Sequence, residues 1–339
     1  MRYERRLIKM VANKPTIKDV ARQAGVSIAT VSRVMAKKAN TYTPQTAQRV
    51  WDAAAKLGYQ KNSAAAELAT RSSDKIAVIV SNPPTNFSTG ILDGMQQTAL
   101  AHNRHIIILY AGNHSPQLLH QAIKDATAGP RAGILLIGSQ IDPQSLKMLQ
   151  DSQLPVRLVS NYSYELPLQF ISSDNTELAA QSVEYLIKKG HRRIGLFGID
   201  HSHTGLQRRA GYQKAMYEHH LPIEQDWIQY GDYSYEAGQT IMQHWADLKL
   251  SAVVAASDLV AMGIMRQAAQ MGLKIPQDLS IVSIDGTFLC EVTDPQLTSV
   301  TQDFYQIGIN SVLDLLGNAP SELVPFKLVE RGSVAEQPK

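Results

Sequence analysis

The sequence predicts an α/β protein in which a three-helix head and a short hinge helix precede a two-lobed, doubly wound core. Three observations carry that prediction. Residues 16–35, TIKDVARQAGVSIATVSRVM, read as a helix-turn-helix. From residue 76 onward, apolar runs of four to six residues alternate with longer helical patterns, the signature of parallel α/β layers. Charge divides the chain at the same place. Residues 1–71 hold fourteen Lys and Arg against four Asp and Glu, a net of +10, and residues 72–339 carry a net of −7. A basic head on an acidic body points to a nucleic-acid module.

In the head, Thr16 and Asp19 have the spacing of a capping box, and Ile17, Val20, Ala21 and Ala24 fall on one helical face. Gly25 breaks that helix and Val26 plugs the corner. Ser27 caps a second helix, whose Val31, Val34 and Met35 turn back toward the first. Ile28, Ala29, Ser32 and Arg33 point outward with no buried task, on the face that enters the DNA major groove in this motif. Thr43 and Pro44 open a third helix with an inner stripe of Val50, Ala53, Ala54 and Leu57, ended by Gly58. The alanine-rich AAAELAT that follows has high helix propensity and little to pack. It reads either as a linker or as a hinge helix whose Leu68 acts as an apolar wedge in the minor groove. The divisions are 1–14 as a disordered basic leader, 15–60 as the helix-turn-helix domain, 61–74 as hinge helix and linker, and 75–339 as the core.

In the core, strands are expected at 76–80, 106–110, 133–137, 156–160, 194–197, 252–256 and 279–284. Helices are expected at 90–101, 117–126, 177–189, 206–218, 237–245 and 259–271. So many units exceed one ordinary sheet, so the natural reading is two lobes divided near Ser172. Ligands of such sheets bind beyond the carboxyl ends of the strands, which between two lobes is a cleft.

These residues carry a resemblance. The head, with LGYQKN and Leu68, is similar to the lactose-repressor family of bacterial transcription regulators. The body agrees in KKGHRRIGLFG, QRRAGYQKAM, ASDLVAMG, IPQDLSIVSIDG and DPQLTSVTQDFYQIG. No single motif decides, but their order and spacing together are specific. The resemblance implies a homodimer or a dimer of dimers on a near-palindromic operator, with a periplasmic-binding-protein-like core for a small effector. It also implies three crossings between lobes, giving lobe 1 about 75–172 and 302–318 and lobe 2 about 173–301 and 319–339.

By the same resemblance, Ile28 and Ala29 stand at the main base-reading positions, with Arg33 one turn on. Only Arg33 among these can bind guanine O6 and N7 as a fork. Thr16, Ser27, Thr30, Ser32 and Asn40 are suited to phosphate contacts that set register. Phe87 matches an aromatic platform before the first core helix, and Arg208 matches the effector-binding arginine. Ser257 and Asp258 match a polar pair after one strand, and Asp285 matches an aspartate after another. Two readings stay open at Asp258, helix cap or effector ligand, and two at Phe87, platform or core. Lys61, Ala66 and Glu67 depart from the family around the hinge, and Asn82, Pro83 and Pro84 depart from it at one wall of the effector site.

Other chemistry finds little support. Cys290 is the single cysteine, which excludes a disulfide within the chain and a multi-cysteine metal site. His201, His203, His219 and His220 have no carboxylate or cysteine at a recognised ligand spacing and read as a solvated loop. The GLFG run lacks the dinucleotide fingerprint, and no Walker-type loop or nucleophile elbow occurs. The expectation is therefore a non-enzyme with no metal and no cofactor. The opening MRYERRLIKMVANK lacks an apolar run and a cleavage site, no later stretch suits a membrane span, and Met10 is a second candidate start. A cytoplasmic repressor is expected, with operator DNA, a small effector and a second copy as partners. A sugar suits an arginine and carboxylates around an aromatic best, and a nucleoside comes next. The competing readings are a soluble sugar-binding receptor, which the basic head argues against, and an α/β enzyme, which lacks a recognisable nucleophile and base.

Overall fold

The computed structural model describes residues 15–36, 40–60, 73–81, 87–112, 115–243, 245–318 and 323–337. They fall into two compact units, 1–71 and 72–339.

In the first unit, α1 (Ile17–Ala24), α2 (Ile28–Met35) and α3 (Pro44–Leu57) form a small bundle. Local chemistry sets each boundary. The Thr16 backbone N–H and hydroxyl both donate to Asp19 Oδ2, at 2.9 and 2.7 Å. Gly25 stops α1 at φ 64°, a left-handed conformation glycine enters without Cβ strain. The Ser27 hydroxyl accepts from the Thr30 N–H at 3.1 Å to start α2. Thr43 does the same for Thr46, with Pro44 in the first turn, and Gly58 ends α3 at φ 61°. Val20, Ala24, Val31, Val34, Val50 and Ala53 are buried together, small side chains that let three short helices pack closely.

The second unit begins with β1 (Lys75–Val80), α4 (Ser88–Ala101), β2 (His105–Tyr110), α5 (Pro116–Thr127), β3 (Gly133–Ile137), α6 (Pro143–Asp151), β4 (Val156–Val159) and β5 (Gln169–Ile171). Their strands make a parallel sheet in the order β2-β1-β3-β4-β5. Central strands β1 and β3 are buried almost throughout, as expected of a sheet covered on both faces.

The chain then forms α7 (Asn175–Lys188), β6 (Ile194–Ile199), α8 (His203–Glu218), β7 (Ile228–Tyr230), α9 (Tyr235–Met242), α10 (Trp245–Leu248), β8 (Ala252–Ala255), α11 (Asp258–Gln270), β9 (Ser280–Asp285), α12 (Leu289–Val292) and β10 (Thr298–Gln302). It ends with α13 (Phe304–Leu315) and β11 (Phe326–Val329). The second sheet runs β11-β10-β9-β8-β6-β7, parallel except where β11 pairs antiparallel with β10.

Helix α13 returns to the first lobe. Its Phe304, Ile307, Val312 and Leu315 share a core with Ile76, Val78, Ile91 and Leu135. The approach to α4 is close enough to need glycine on both sides: a Cβ on Gly94 would lie 2.2 Å from the Tyr305 carbonyl oxygen, and one on Gly308 2.1 Å from that of Ile91. Ser172 and Leu323 form a parallel bridge beside β5, and β11 then rejoins the second sheet. The lobes are thus joined by three passages of chain. The helix expected over 237–245 stops at Met242, where α9 ends and the separate short α10 begins at Trp245.

Candidate functional site

Two surfaces carry the chemistry, one on each unit. On the head, the outward face of α2 presents Ile28, 45% exposed, with Ala29, Ser32 and Arg33 also exposed. Among the described residues nothing pairs with the Arg33 guanidinium, so its donor fork is available. Ser27 is exposed and Thr30 half-buried, their hydroxyls 2.9 Å apart. Thr16 and Asn40 are exposed, Asn40 at φ 60°. Leu68, Lys61, Ala66, Glu67, Asn82, Pro83 and Pro84 lie outside the described residues.

In the core, a cavity with an empty volume of about 530 Å³ opens where the strands of both sheets end. From the first lobe come Phe87 and Phe304, whose rings stack at 5.4 Å, and Asn161. From the second come Asp200, Arg208, Tyr233 and Asp285, all lining the same space.

Arg208 projects from α8 and is 5% exposed. Its Nε donates to Asn175 Oδ1 at 3.0 Å, its Nη1 to the Ala256 carbonyl, and its Nη2 to Asp285 Oδ1 at 3.4 Å. The guanidinium lies 5.6 Å from the Tyr233 ring centroid. A guanidinium has five N–H groups, so a fixed arginine with donors to spare faces the cavity. Asp285 ends β9 and also accepts from Gln302 Nε2 at 2.9 Å. Burial pushes its carboxyl up to about 7, the neighbouring Arg208 pulls the other way, and the negative Asp258 adds to the rise. Asp200 Oδ1 accepts from the Tyr233 hydroxyl at 2.9 Å, and burial drives that hydroxyl's pKa above its ordinary value.

Of the core residues singled out from the sequence, Phe87, Arg208 and Asp285 line this cavity, whereas Ser257 and Asp258 do not. Their polar atoms are engaged elsewhere. The Ser257 hydroxyl donates to the Tyr233 carbonyl at 2.8 Å and accepts from the Val260 N–H to cap α11. Asp258 is 1% exposed, its carboxylate occupied by Ser283 and by the turn after β9. Sequence reasoning passed over Asn161, Asp200, Tyr233, Gln302 and Phe304. Each stands at or just past the carboxyl end of a strand, so the strand-end rule itself was the missed signal.

The chain also matches known proteins. Residues 16–62 fit the family described as bacterial regulatory proteins, lacI family, and residues 183–334 fit the periplasmic binding protein-like domain. The HTH-type transcriptional repressor CytR of Escherichia coli (strain K12) is 32% identical over 334 residues, which span 95% of this chain and 97% of that one. A transcription regulator from Lactobacillus plantarum is 39% identical, with a TM-score of 0.70 over 77% of this chain and 100% of that structure. The lac repressor dimer bound to operator and the anti-inducer ONPF is 27% identical, with a TM-score of 0.85 over 95% of this chain and 100% of that one. The exposed recognition face of α2, the two-lobed core and these similarities together make the chain a DNA-binding transcription regulator belonging to the lacI family.

Proposed function

We propose that this regulator is a repressor that works as a homodimer and whose grip on operator DNA is set by a sugar held between the lobes of the core. One observation carries the reading: Arg208 and Asp285 meet on one wall of a cavity that also contains the Phe87 ring. A sugar hydroxyl both donates and accepts. The remaining Arg208 N–H groups can donate to it, the Asp285 carboxylate can accept from it, and an aromatic ring can cover the apolar face of the pyranose. The stack of Phe87 on Phe304 supports a nucleoside as the second reading, since a base needs a flat apolar partner.

The homodimer is supported by β2, an edge strand with Ile108 55% and Tyr110 66% exposed. An apolar edge of this kind is a liability unless a second chain covers it. On DNA, Arg33 is assigned the base contact, Ile28 and Ala29 fill space against the groove, and Thr16, Ser27, Thr30, Ser32 and Asn40 face phosphates.

Calorimetry with D-glucose, D-ribose, cellobiose, uridine and adenosine tests the effector class. A saccharide should bind, and Arg208→Ala and Asp285→Ala should each lose that binding. Binding of nucleosides alone replaces the first reading with the second, and undiminished binding by both variants removes the site assignment.

A further inference from the structure

Asp285 ends its strand at φ 122° and Gly286 follows at φ 73°. A side chain at so positive a φ crowds the backbone, so an aspartate rests there only where its surroundings hold it. Asp258 does the holding. Its Oδ1 accepts from the Ser283 hydroxyl at 2.7 Å and from the Gly286 N–H at 3.4 Å. Its Oδ2 accepts from the Thr287 N–H at 2.6 Å and the Thr287 hydroxyl at 2.8 Å. These bonds grip the chain on both sides of Asp285. On the far side of the turn Thr301 leaves no slack, since a Cβ on Gly286 would lie 2.2 Å from its Oγ1.

We propose that Asp258 is a positioning residue of the effector site, whose carboxylate fixes the turn at 283–287 so that Asp285 is already in its binding geometry before the effector arrives. This rests on the reading of Asp285 as an effector ligand. Four donors converge on the two oxygens of Asp258, and only a carboxylate accepts at both ends. An amide of the same shape turns one oxygen into a donor, which must face another donor and release one side of the turn. Pre-organisation of this kind raises affinity by removing reorganisation at the moment of binding.

The test is Asp258→Asn, read by calorimetry with the tightest binder among D-glucose, D-ribose, cellobiose, uridine and adenosine, across a pH series. Affinity should fall about tenfold or more, the scale of a lost hydrogen bond to a charged group. The pH midpoint of binding should also move lower. Among the described residues, the charged groups that act most strongly on Asp285 are Arg208 from α8 and Asp258 from α11, with Asp200 lining the same cavity, and the variant removes the negative charge of Asp258. Unchanged affinity, or weaker binding with an unmoved midpoint, overturns the proposal in favour of a merely structural acid. If circular dichroism shows that Asp258→Asn does not fold, Thr287→Val carries the test by removing one hydroxyl donor. It should weaken binding several-fold, and parental affinity overturns the proposal. Asp285→Ala is measured alongside. If it binds the probe normally, the effector reading itself has failed, an outcome that needs no result from Asp258.

Discussion

Arg33 stands exposed on α2 with no described partner, while its neighbours Ile28 and Ala29 have no side-chain hydrogen-bonding group. A forked contact to guanine contributes about 1–3 kcal/mol of base discrimination. Arg33→Ala should therefore weaken operator binding and flatten preference at one symmetric base-pair position in a binding-site selection. Equal loss on all DNA would mean that Arg33 touches only phosphate. The folded Asp285 carboxyl titrates near 7, above its ordinary value of 3.8, so between those values the folded chain binds more protons than the unfolded chain. Stability then falls as pH rises from about 4 to about 7. Asp285→Asn should flatten that part of a denaturation series. Effector affinity should run the opposite way, tightening as pH rises through about 7, because an ionised Asp285 is the better acceptor for a hydroxyl.

At the scale of elements, α4 and α13 touch backbone to backbone through Gly94 and Gly308. Gly308→Ala places a methyl group against the Ile91 carbonyl, and overpacking of this kind costs about 1–3 kcal/mol. Urea denaturation should show that loss, and parental stability would mean that the helices can separate cheaply. Where the sequence could be read, it was because caps and periodicity agreed: Thr16 with Asp19, Ser27, Gly25 and Gly58 bound the head's helices. The buried apolar runs of β1, β3 and β6 were equally plain. Strand β5 is three residues, Gln169–Ile171, too short for any alternation to register, and β7 is no longer. Helix α6 had a readable start, since Asp142 caps it ahead of Pro143, but its nine residues gave a weak stripe. In the cavity, Arg208 and Asp285 could be named from motifs. Asp258 was named in the same way, from ASDLVAMG, yet it faces inward, because the residue that opens α11 turns toward β9 rather than toward the opening. A one-residue difference in facing is set by packing, which no local pattern carries.

At the scale of the whole molecule, the proposed effector reaches both lobes, and DNA affinity follows from it. Phe87 and Phe304 come from the first lobe, and Arg208 and Asp285 from the second, so a bound effector favours whichever arrangement brings these groups together. A ligand shifts such an equilibrium only by its difference in affinity for the two arrangements. Moving it from 1:99 to 99:1 takes about 5.5 kcal/mol, more than one hydrogen bond supplies, so contacts on both walls must differ between states. The most direct measurement is operator affinity, by fluorescence anisotropy, with and without the best-binding sugar, for the parent chain and for Arg208→Ala and Asp285→Ala. The account predicts that the sugar changes operator affinity of the parent at least tenfold, about 1.4 kcal/mol, and leaves both variants unmoved while they still bind operator. A sugar that binds the cavity yet leaves the parent's operator affinity unchanged, or one that shifts all three proteins alike, would contradict it.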